Sequence, residues 1–553
     1  MFKKAFTLLS NNNKSILYTY LLLTLIFVAI ETSLLIIVFP LIDVFLGSQS
    51  VDQNKVFLFL KNYLYIKDLN GLINFGIIFV IFRLLYFLFY NWAKYSYLNI
   101  IQKDLAIKVF KKYYDKSFLE FIKLNSASFV RDISSETTTF KKFCDTAIVL
   151  ILEIFISISI CIFLFFIDPL IFLYVLGFLA IFAIIYFMLI LKILVFLGKR
   201  RVLVNKKIIK VANESYKFFE LIKINNVLNF FNSDLKREFQ ELLKVTRTVQ
   251  IINLIPRLFI ETILFLGFLL IFLIQFKNSG FNINLSTAGI FLVCFLRLFP
   301  SISKIMGAIQ ILNLSKFSVE TIYLQISEKT KNNKKNQESP INFNKEIQIK
   351  NLNLKYKNKK VFNNFDCSIQ NKSFNAIVGK SGSGKSSFIK IFTGLLEANE
   401  IQFMLDEKKV DIYENKNWQK NIGYAGQNSI VLNQSLKRNI SLSKDEETNS
   451  KKLSKVFYES GLDIFLDFEK NINDEINEAG SNFSGGQLQR ICLARALYFS
   501  KGILVLDEIC SSLDMESEKE IILTLKKLSK EYTIIYITHR NNFYEYFDNI
   551  IKL

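Results

Sequence analysis

Histidine is almost missing from this chain: His539 is the one histidine in 553 residues. Proline is scarce too, with five residues, and the six cysteines form no C-x-x-C pair. One histidine cannot complete a zinc site with scattered cysteines. Cys144, Cys161, Cys294, Cys367, Cys492 and Cys510 therefore read as reduced, structural thiols. Acidic residues are in deficit, 48 against 69 Lys and Arg, for a formal net charge of +21. A basic balance of this size can signal nucleic acid. Here many of the charges flank apolar spans, which positive-inside topology and anionic lipid headgroups explain, so no nucleic-acid partner is expected. A cleavable signal peptide is not expected either. The first apolar run is far longer than a signal h-region and lacks a small-residue cleavage site.

What is abundant is apolar: 51% of the residues are hydrophobic and 56 are Phe. That is too apolar for an ordinary soluble protein, and the excess lies before about residue 310. Six runs are long enough to cross a bilayer, near Ile16–Leu46, Leu72–Trp92, Thr146–Ile167, Leu170–Phe196, Ile251–Phe276 and Ser286–Ile309. The two long connections, after the second and fourth runs, are rich in Lys and Arg. The connections on the opposite side are poor in them: Asp168-Pro169 is a tight turn, and 277–285 holds one Lys. The N-terminus, with Lys3, Lys4 and Lys14, and both long loops are therefore expected in the cytoplasm, the short loops carrying the assignment.

Both long loops keep helical periodicity. Leu105, Val109 and Phe110 mark one face, and Leu203, Ile208, Ile209 and Val211 another. The spans are thus expected to continue as helices into the cytoplasm. Their tips, 118–122 and 216–220, present aromatics suited to docking onto a neighbouring domain or to packing within the loop. The first external connection carries an apolar segment, 56–64, that suits either an interfacial amphipathic helix or a cap on the bundle. The polar stretch 328–340, EKTKNNKKNQESP, reads as a linker. It divides a membrane domain, 1–327, from an α/β nucleotide-binding domain, 341–553, in which strands and helices alternate.

In that second domain Gly379, Lys380, Ser381, Gly382, Ser383, Gly384, Lys385 and Ser386 fit G-x-x-x-x-G-K-[ST], the phosphate-binding loop. Glycines let the backbone turn tightly so that its N–H groups converge on phosphate oxygens. Lys385 supplies charge for the β- and γ-phosphates, and Ser386 a ligand for Mg²⁺. The strand Ala376-Ile377-Val378 before the loop and the helix start at Ser387 after it are the context the motif requires. Ile503-Leu504-Val505-Leu506-Asp507-Glu508 reads as a buried strand ending in two acids. Asp507 is placed to orient Mg²⁺, and Glu508 to act as general base on the attacking water.

With Gln427, Ser484-Gly485-Gly486-Gln487, Ser511-Ser512-Leu513-Asp514 and His539, this order of motifs resembles the ABC transporter ATPases over the whole domain. The resemblance implies ATP and Mg²⁺ as cofactors. It implies that Tyr356 stacks on adenine, that Gln427 senses Mg²⁺ and the membrane domain, and that His539 contacts the γ-phosphate. It also sets Ser484-Gly485-Gly486 across from the phosphate loop of a second copy, so a homodimer is expected. Phe483, Ser512 and Gly426 depart from the usual Leu, Ala and Pro, and none of these changes removes a charged catalytic group.

The fold class implied is a membrane all-α six-helix ABC exporter domain followed by a cytoplasmic α/β P-loop NTPase domain. Met1–Leu46, Ile255–Glu261, Leu296–Ser301 and Gly480-Ser481-Asn482 look like the lipid-linked oligosaccharide flippases of bacterial protein N-glycosylation. In those flippases, cavity arginines engage the substrate pyrophosphate and an external helix engages the lipid. An intramembrane Arg is costly unless it meets water, a counter-ion or an anionic substrate, and guanidinium binds phosphate bidentately. Arg83, Arg257 and Arg297 are the candidates for the substrate path. The competing explanation is internal pairing, with Glu261 four residues from Arg257 and with Glu31 and Glu153 available to the others. The function expected is an ATP-driven exporter or flippase in a bacterial inner membrane. Its cargo would be an anionic lipid-linked substrate, a polyprenyl-diphosphate oligosaccharide above others. A multidrug or lipid A-type exporter and a peptide exporter are the alternatives.

Overall fold

The structure is a computed structural model that describes residues 2–45, 69–167, 169–279, 285–328, 343–356, 359–413, 415–477, 480–510, 513–540 and 542–553. The apolar segment 56–64, the linker from 329 onward and Ser511-Ser512 lie outside these, as do the side chains of Arg257, Glu261 and Tyr356. The chain divides into two compact units, Met1–Lys116 with Glu120–Thr330, and Ser117–Leu119 with Lys331–Leu553.

The first unit is helical. Six long helices, Asn11–Phe45, Leu69–Tyr114, Thr137–Ile167, Pro169–Lys217, Leu228–Ser279 and Leu285–Ser327, carry the six apolar runs, the first of them as far as Phe45. Among the described residues, Asn11–Leu34, Asn70–Tyr114 and Ser126–Phe166 are long and apolar enough to cross a membrane. The 46 residues of Leu69–Tyr114 make about 69 Å of helix, more than twice the ~30 Å of a hydrocarbon core. The helix changes character along its length. Ile77, Ile78, Ile81, Leu84, Leu85 and Leu88 are exposed, whereas Leu98, Ile101, Leu105, Val109 and Tyr113 form a buried stripe. An apolar surface open to the surroundings suits lipid, and a stripe at spacings of three and four residues suits packing against other helices.

Two details of the expected faces are corrected. Phe110 lies off the buried stripe and is exposed. Around residue 203 of the helix Pro169–Lys217 the buried residues are Val202 and Val204, with Leu203 exposed between them. Both loop tips are short helices, Phe118–Ile122 and Phe219–Asn225, and Leu119, Phe121, Ile122, Tyr216, Phe218 and Phe219 are exposed. At Gly198 the backbone meets Leu314 so closely that a Cβ would collide with the Leu314 carbonyl. A small residue at a crossing is what lets two such helices approach.

The second unit has two sheets. β1 (Glu346–Tyr356), β2 (Lys359–Gln370), β4 (Glu400–Leu405) and β5 (Lys408–Lys409) form an antiparallel sheet in the order β2-β1-β4-β5. β3 (Phe374–Val378), β6 (Ile422–Ala425), β7 (Ile503–Asp507), β8 (Thr533–Ile537) and β9 (Asn549–Lys552) form a parallel one, in the order β6-β7-β8-β3-β9. β3 and β8 are buried at every position, as their near-continuous apolar sequences require of central parallel strands. Alternate residues serve opposite faces. Leu504, Leu506, Ile534 and Tyr536 pack into one core, and Ile503, Val505, Ile535 and Ile537 into the other.

Candidate nucleotide site

Four segments far apart in sequence meet because β6, β7, β8 and β3 are parallel neighbours. Residue 379 follows β3, Gln427 lies just past β6, Asp507-Glu508 ends β7 and His539 lies just past β8. The carboxyl ends of such strands form a crevice, the usual ligand site of an open α/β sheet.

The loop 379–384 leads directly into the helix Lys385–Phe392. Gly384 has φ +108°, a conformation that a Cβ disfavours, and a Cβ there would press on Val361 and Phe362. Lys385 Nζ donates to the Gly379 carbonyl at 2.8 Å and to the Lys380 carbonyl at 3.2 Å. Its Nζ also lies 3.4 Å from His539 Nδ1. Burial pulls the Lys385 ammonium below the usual lysine range, opposed by the charges of Glu508 and Asp507. Ser383 Oγ is buried and has no hydrogen-bond partner. A turn whose carbonyls already hold an ammonium, and whose hydroxyl is unsatisfied, fits a polyphosphate.

Glu508 stands at the centre. His539 Nε2 lies 2.7 Å from its Oε1, and Gln427 Nε2 donates to its Oε2 at 3.1 Å. Its backbone has φ +52°, a left-handed conformation that costs a non-glycine residue about 1 kcal/mol or more. Beside it, burial and then the Glu508 charge push the Asp507 carboxyl above the usual aspartate range. Asp507, the Ser386 hydroxyl and the Gln427 amide are oxygen donors of the kind Mg²⁺ takes. Mg²⁺ is held by one or two carboxylates together with substrate phosphates rather than by an all-protein cage.

Ser484, Gly485, Gly486 and Gln487 are at the start of the helix Gly485–Phe499. Gln487 N–H donates to Ser484 Oγ at 3.3 Å, and Ser484 N–H to Gln487 Oε1 at 2.9 Å, a reciprocal cap. The remaining first-turn N–H groups have no partner within the helix, and a Cβ at Gly485 would meet open space. Gln487 thus holds the helix end in shape, a role that its place in the motif did not show. Asp514 plays a similar part: its Oδ2 accepts from Ser517 N–H at 3.1 Å and caps the helix Met515–Leu528. Sequence reasoning also missed Arg490. It is 2% exposed, pairs with Glu520 at 2.9 Å and donates to the Ser460 carbonyl at 3.2 Å. No motif pointed to it, because its partners Ser460 and Glu520 come from two segments, each about 30 residues away in sequence.

The intramembrane arginines lie elsewhere, in the helical unit. Arg83 Nε and Arg297 Nη2 both donate to Glu31, at 2.8 and 2.6 Å. Glu153 pairs with Lys304 at 2.6 Å instead of with either arginine. Pro300, three residues after Arg297, sits inside its helix. It removes the hydrogen bond to the Leu296 carbonyl and so favours a kink beside Arg297.

Residues 362–511 match the family described as ABC transporter. Over 194 residues the chain is 34% identical to "ABC transporter ATM1" of Plasmodium falciparum, covering 35% of this chain and 18% of that protein. Over 179 residues it is 34% identical to the "ATP-dependent lipid A-core flippase" of Pasteurella multocida, covering 32% and 31%. The chain thus spans less than a third of the length of these relatives. A solved structure, "Structure of a bacterial Atm1-family ABC exporter with ATP bound", superposes with a TM-score of 0.80 at 16% identity, covering 98% of this chain and 94% of that one. The second unit is an ABC transporter ATPase domain. The chain as a whole has the Atm1-family ABC exporter fold, a helical membrane region followed by that domain.

Proposed function

We propose that the chain is one half of an ATP-driven exporter or flippase, working as a homodimer in a bacterial inner membrane. Its cargo is an anionic lipid-linked substrate, foremost a polyprenyl-diphosphate oligosaccharide. The observation that carries this reading is that an ABC ATPase domain shares a chain with a membrane helix bundle in which two arginines meet one carboxylate. ATP is held by the loop 379–387 and by Lys385, with Tyr356 against adenine. Mg²⁺ is held by Ser386, Asp507 and Gln427, where it offsets phosphate charge. Glu508 takes the proton of the attacking water, and His539 steadies both Glu508 and the γ-phosphate. Ser484, Gly485 and Gly486 face the partner's phosphate loop. Arg83, Arg257 and Arg297 line the path of the cargo headgroup.

A lipid A-type exporter is the second reading, favoured by the 34% identity to a lipid A-core flippase. Fluorescently labelled polyprenyl-diphosphate glycan, lipid A and a cationic drug should be compared in proteoliposomes. ATP-dependent flipping of the first alone is expected. Flipping of lipid A or the drug in preference to the glycan would reject the cargo assignment.

A further inference from the structure

The short helix Phe2–Leu8 lies over a cavity of about 400 Å³ that belongs neither to the nucleotide site nor to the arginine cluster. Three long helices supply its walls: Leu17 and Leu21 from Asn11–Phe45, Tyr97 and Ile101 from Leu69–Tyr114, and the stretch 143–151 from Thr137–Ile167. Phe2 and Phe6 close it from the short helix, with the Phe2 ring 5.6 Å from that of Phe143. Among the described residues that line it, only Lys3, Tyr97 and Cys144 carry a polar side-chain atom. The Tyr97 hydroxyl is already committed, donating to the Asn13 carbonyl at 2.9 Å. Apolar cavities of this kind stay dry and take apolar ligands. The walls lie at the cytoplasmic ends of the apolar runs 16–46, 72–92 and 146–167. One turn further into the membrane on the same faces, Leu25 follows Leu21, and Ile154 and Phe155 follow Ile151. All three are exposed, so the cavity opens toward lipid. Two cations stand at its rim. Lys3 lines the cavity, and Lys14 Nζ lies 5.1 Å from the centre of the Phe6 ring. Lys4 pairs with Glu320 at 3.9 Å, whereas among the described residues Lys3 and Lys14 meet no carboxylate.

We propose that this cavity takes one acyl chain of an anionic phospholipid from the cytoplasmic leaflet, with Lys3 and Lys14 at its headgroup. Lysines beside that leaflet attract anionic headgroups while their stems lie along apolar surface. The chain carries a net charge of +21, so a second copy suits two lysines without carboxylate partners less well than an anionic headgroup does. The lipid is a ligand of the bundle and not its cargo. It clamps the N-terminal helix in place. Seven residues are too few for a helix to be stable by itself. This one is held by the buried Ala5 and Leu8 and by Lys108 Nζ, which donates to the Leu8 carbonyl at 3.3 Å. An acyl chain beneath Phe2 and Phe6 adds apolar contact on the side that these leave empty.

The test is photolabelling of the full chain in phosphatidylcholine nanodiscs doped with phosphatidylglycerol that carries a diazirine midway along one acyl chain. Adducts are mapped by peptide mass spectrometry, and they are expected on 2–21 and 143–151. Ala147→Phe fills the cavity from its wall. It should lose those adducts and keep the ones on the exposed surface 77–88, which serves as the internal control. With the diazirine on phosphatidylcholine instead, cavity labelling should fall about fivefold or more, and Lys3→Gln should remove most of that difference. Should Ala147→Phe fail to fold, Leu17→Phe narrows the cavity from the facing helix and is read in the same way. Adducts at 143–151 that persist in the filled variant overturn the proposal, as does equal labelling by the two lipids. Two further outcomes also overturn it. Displacement of the label by an equimolar amount of farnesyl diphosphate would give the cavity to the cargo. Labelling that appears only after detergent has dissociated the dimer would give it to a second copy of the chain.

Discussion

Asp507 is the side chain in which function and stability oppose each other. Burial, reinforced by Glu508, raises its folded-state pKa. Between the ordinary aspartate value and that raised value the folded domain binds more protons than the unfolded chain. The nucleotide-free domain therefore gains stability as pH falls through the folded-state pKa, and it carries the full penalty above it. Asp507→Asn should raise the melting temperature of the ATP-free protein by a few degrees at neutral pH and flatten its acid dependence, while ATP turnover is lost. A lowered melting temperature in calorimetry would count against this account. Glu508 is the complementary case. Gln427 and His539 already hold it in position, so Glu508→Gln should keep the fold and slow hydrolysis by about 10²–10⁴-fold in a steady-state assay. Motif order in the sequence singled these residues out as candidates. Their mutual contacts were not legible there, because residues 427, 508 and 539 meet only through strand adjacency.

Among the elements, the helix Gly485–Phe499 joins architecture to the site through its first turn. Ser484→Ala removes the cap and should cost about 1 kcal/mol, read as a lower melting temperature. Ser484→Asp keeps a capping oxygen and adds a negative charge where the helix dipole welcomes it. It should retain the stability of the parent yet lose ATP turnover, since the same charge repels phosphate. Should Ser484→Asp hydrolyse ATP normally, the assignment of this helix end to a nucleotide fails. In the membrane unit, Gly198→Ala forces a Cβ into the Leu314 carbonyl. A cost of about 1–3 kcal/mol is expected, as for overpacking elsewhere, measured as earlier thermal inactivation in detergent. β3, β7 and β8 were readable as continuous apolar runs bounded by motifs. The buried face around residue 203 was not, because periodicity within one apolar helix does not tell which neighbour arrives on which side.

For the whole molecule, the central expectation is that each ATP site is shared by two chains. Lys385→Ala and Ser484→Asp should each be inactive alone. Mixed and allowed to exchange, half the dimers are hetero-dimers, and each of these has one intact site, so about a quarter of parental turnover should return. No recovery on mixing would place both residues in the same site of one chain. Local sequence by itself marked the six apolar runs, the polar stretch 328–340, and Lys385, Asp507, Glu508 and His539 as candidate chemistry-bearing groups. It could do so because hydrophobic length and motif spacing are properties of short stretches of chain. Only the tertiary structure decided that Glu31 takes both Arg83 and Arg297, that Glu153 takes Lys304, and that His539 and Gln427 both hold Glu508. Each of those pairings depends on the order of strands or the crossing of helices, and a single buried carboxylate has no sequence signal for the partner that reaches it first.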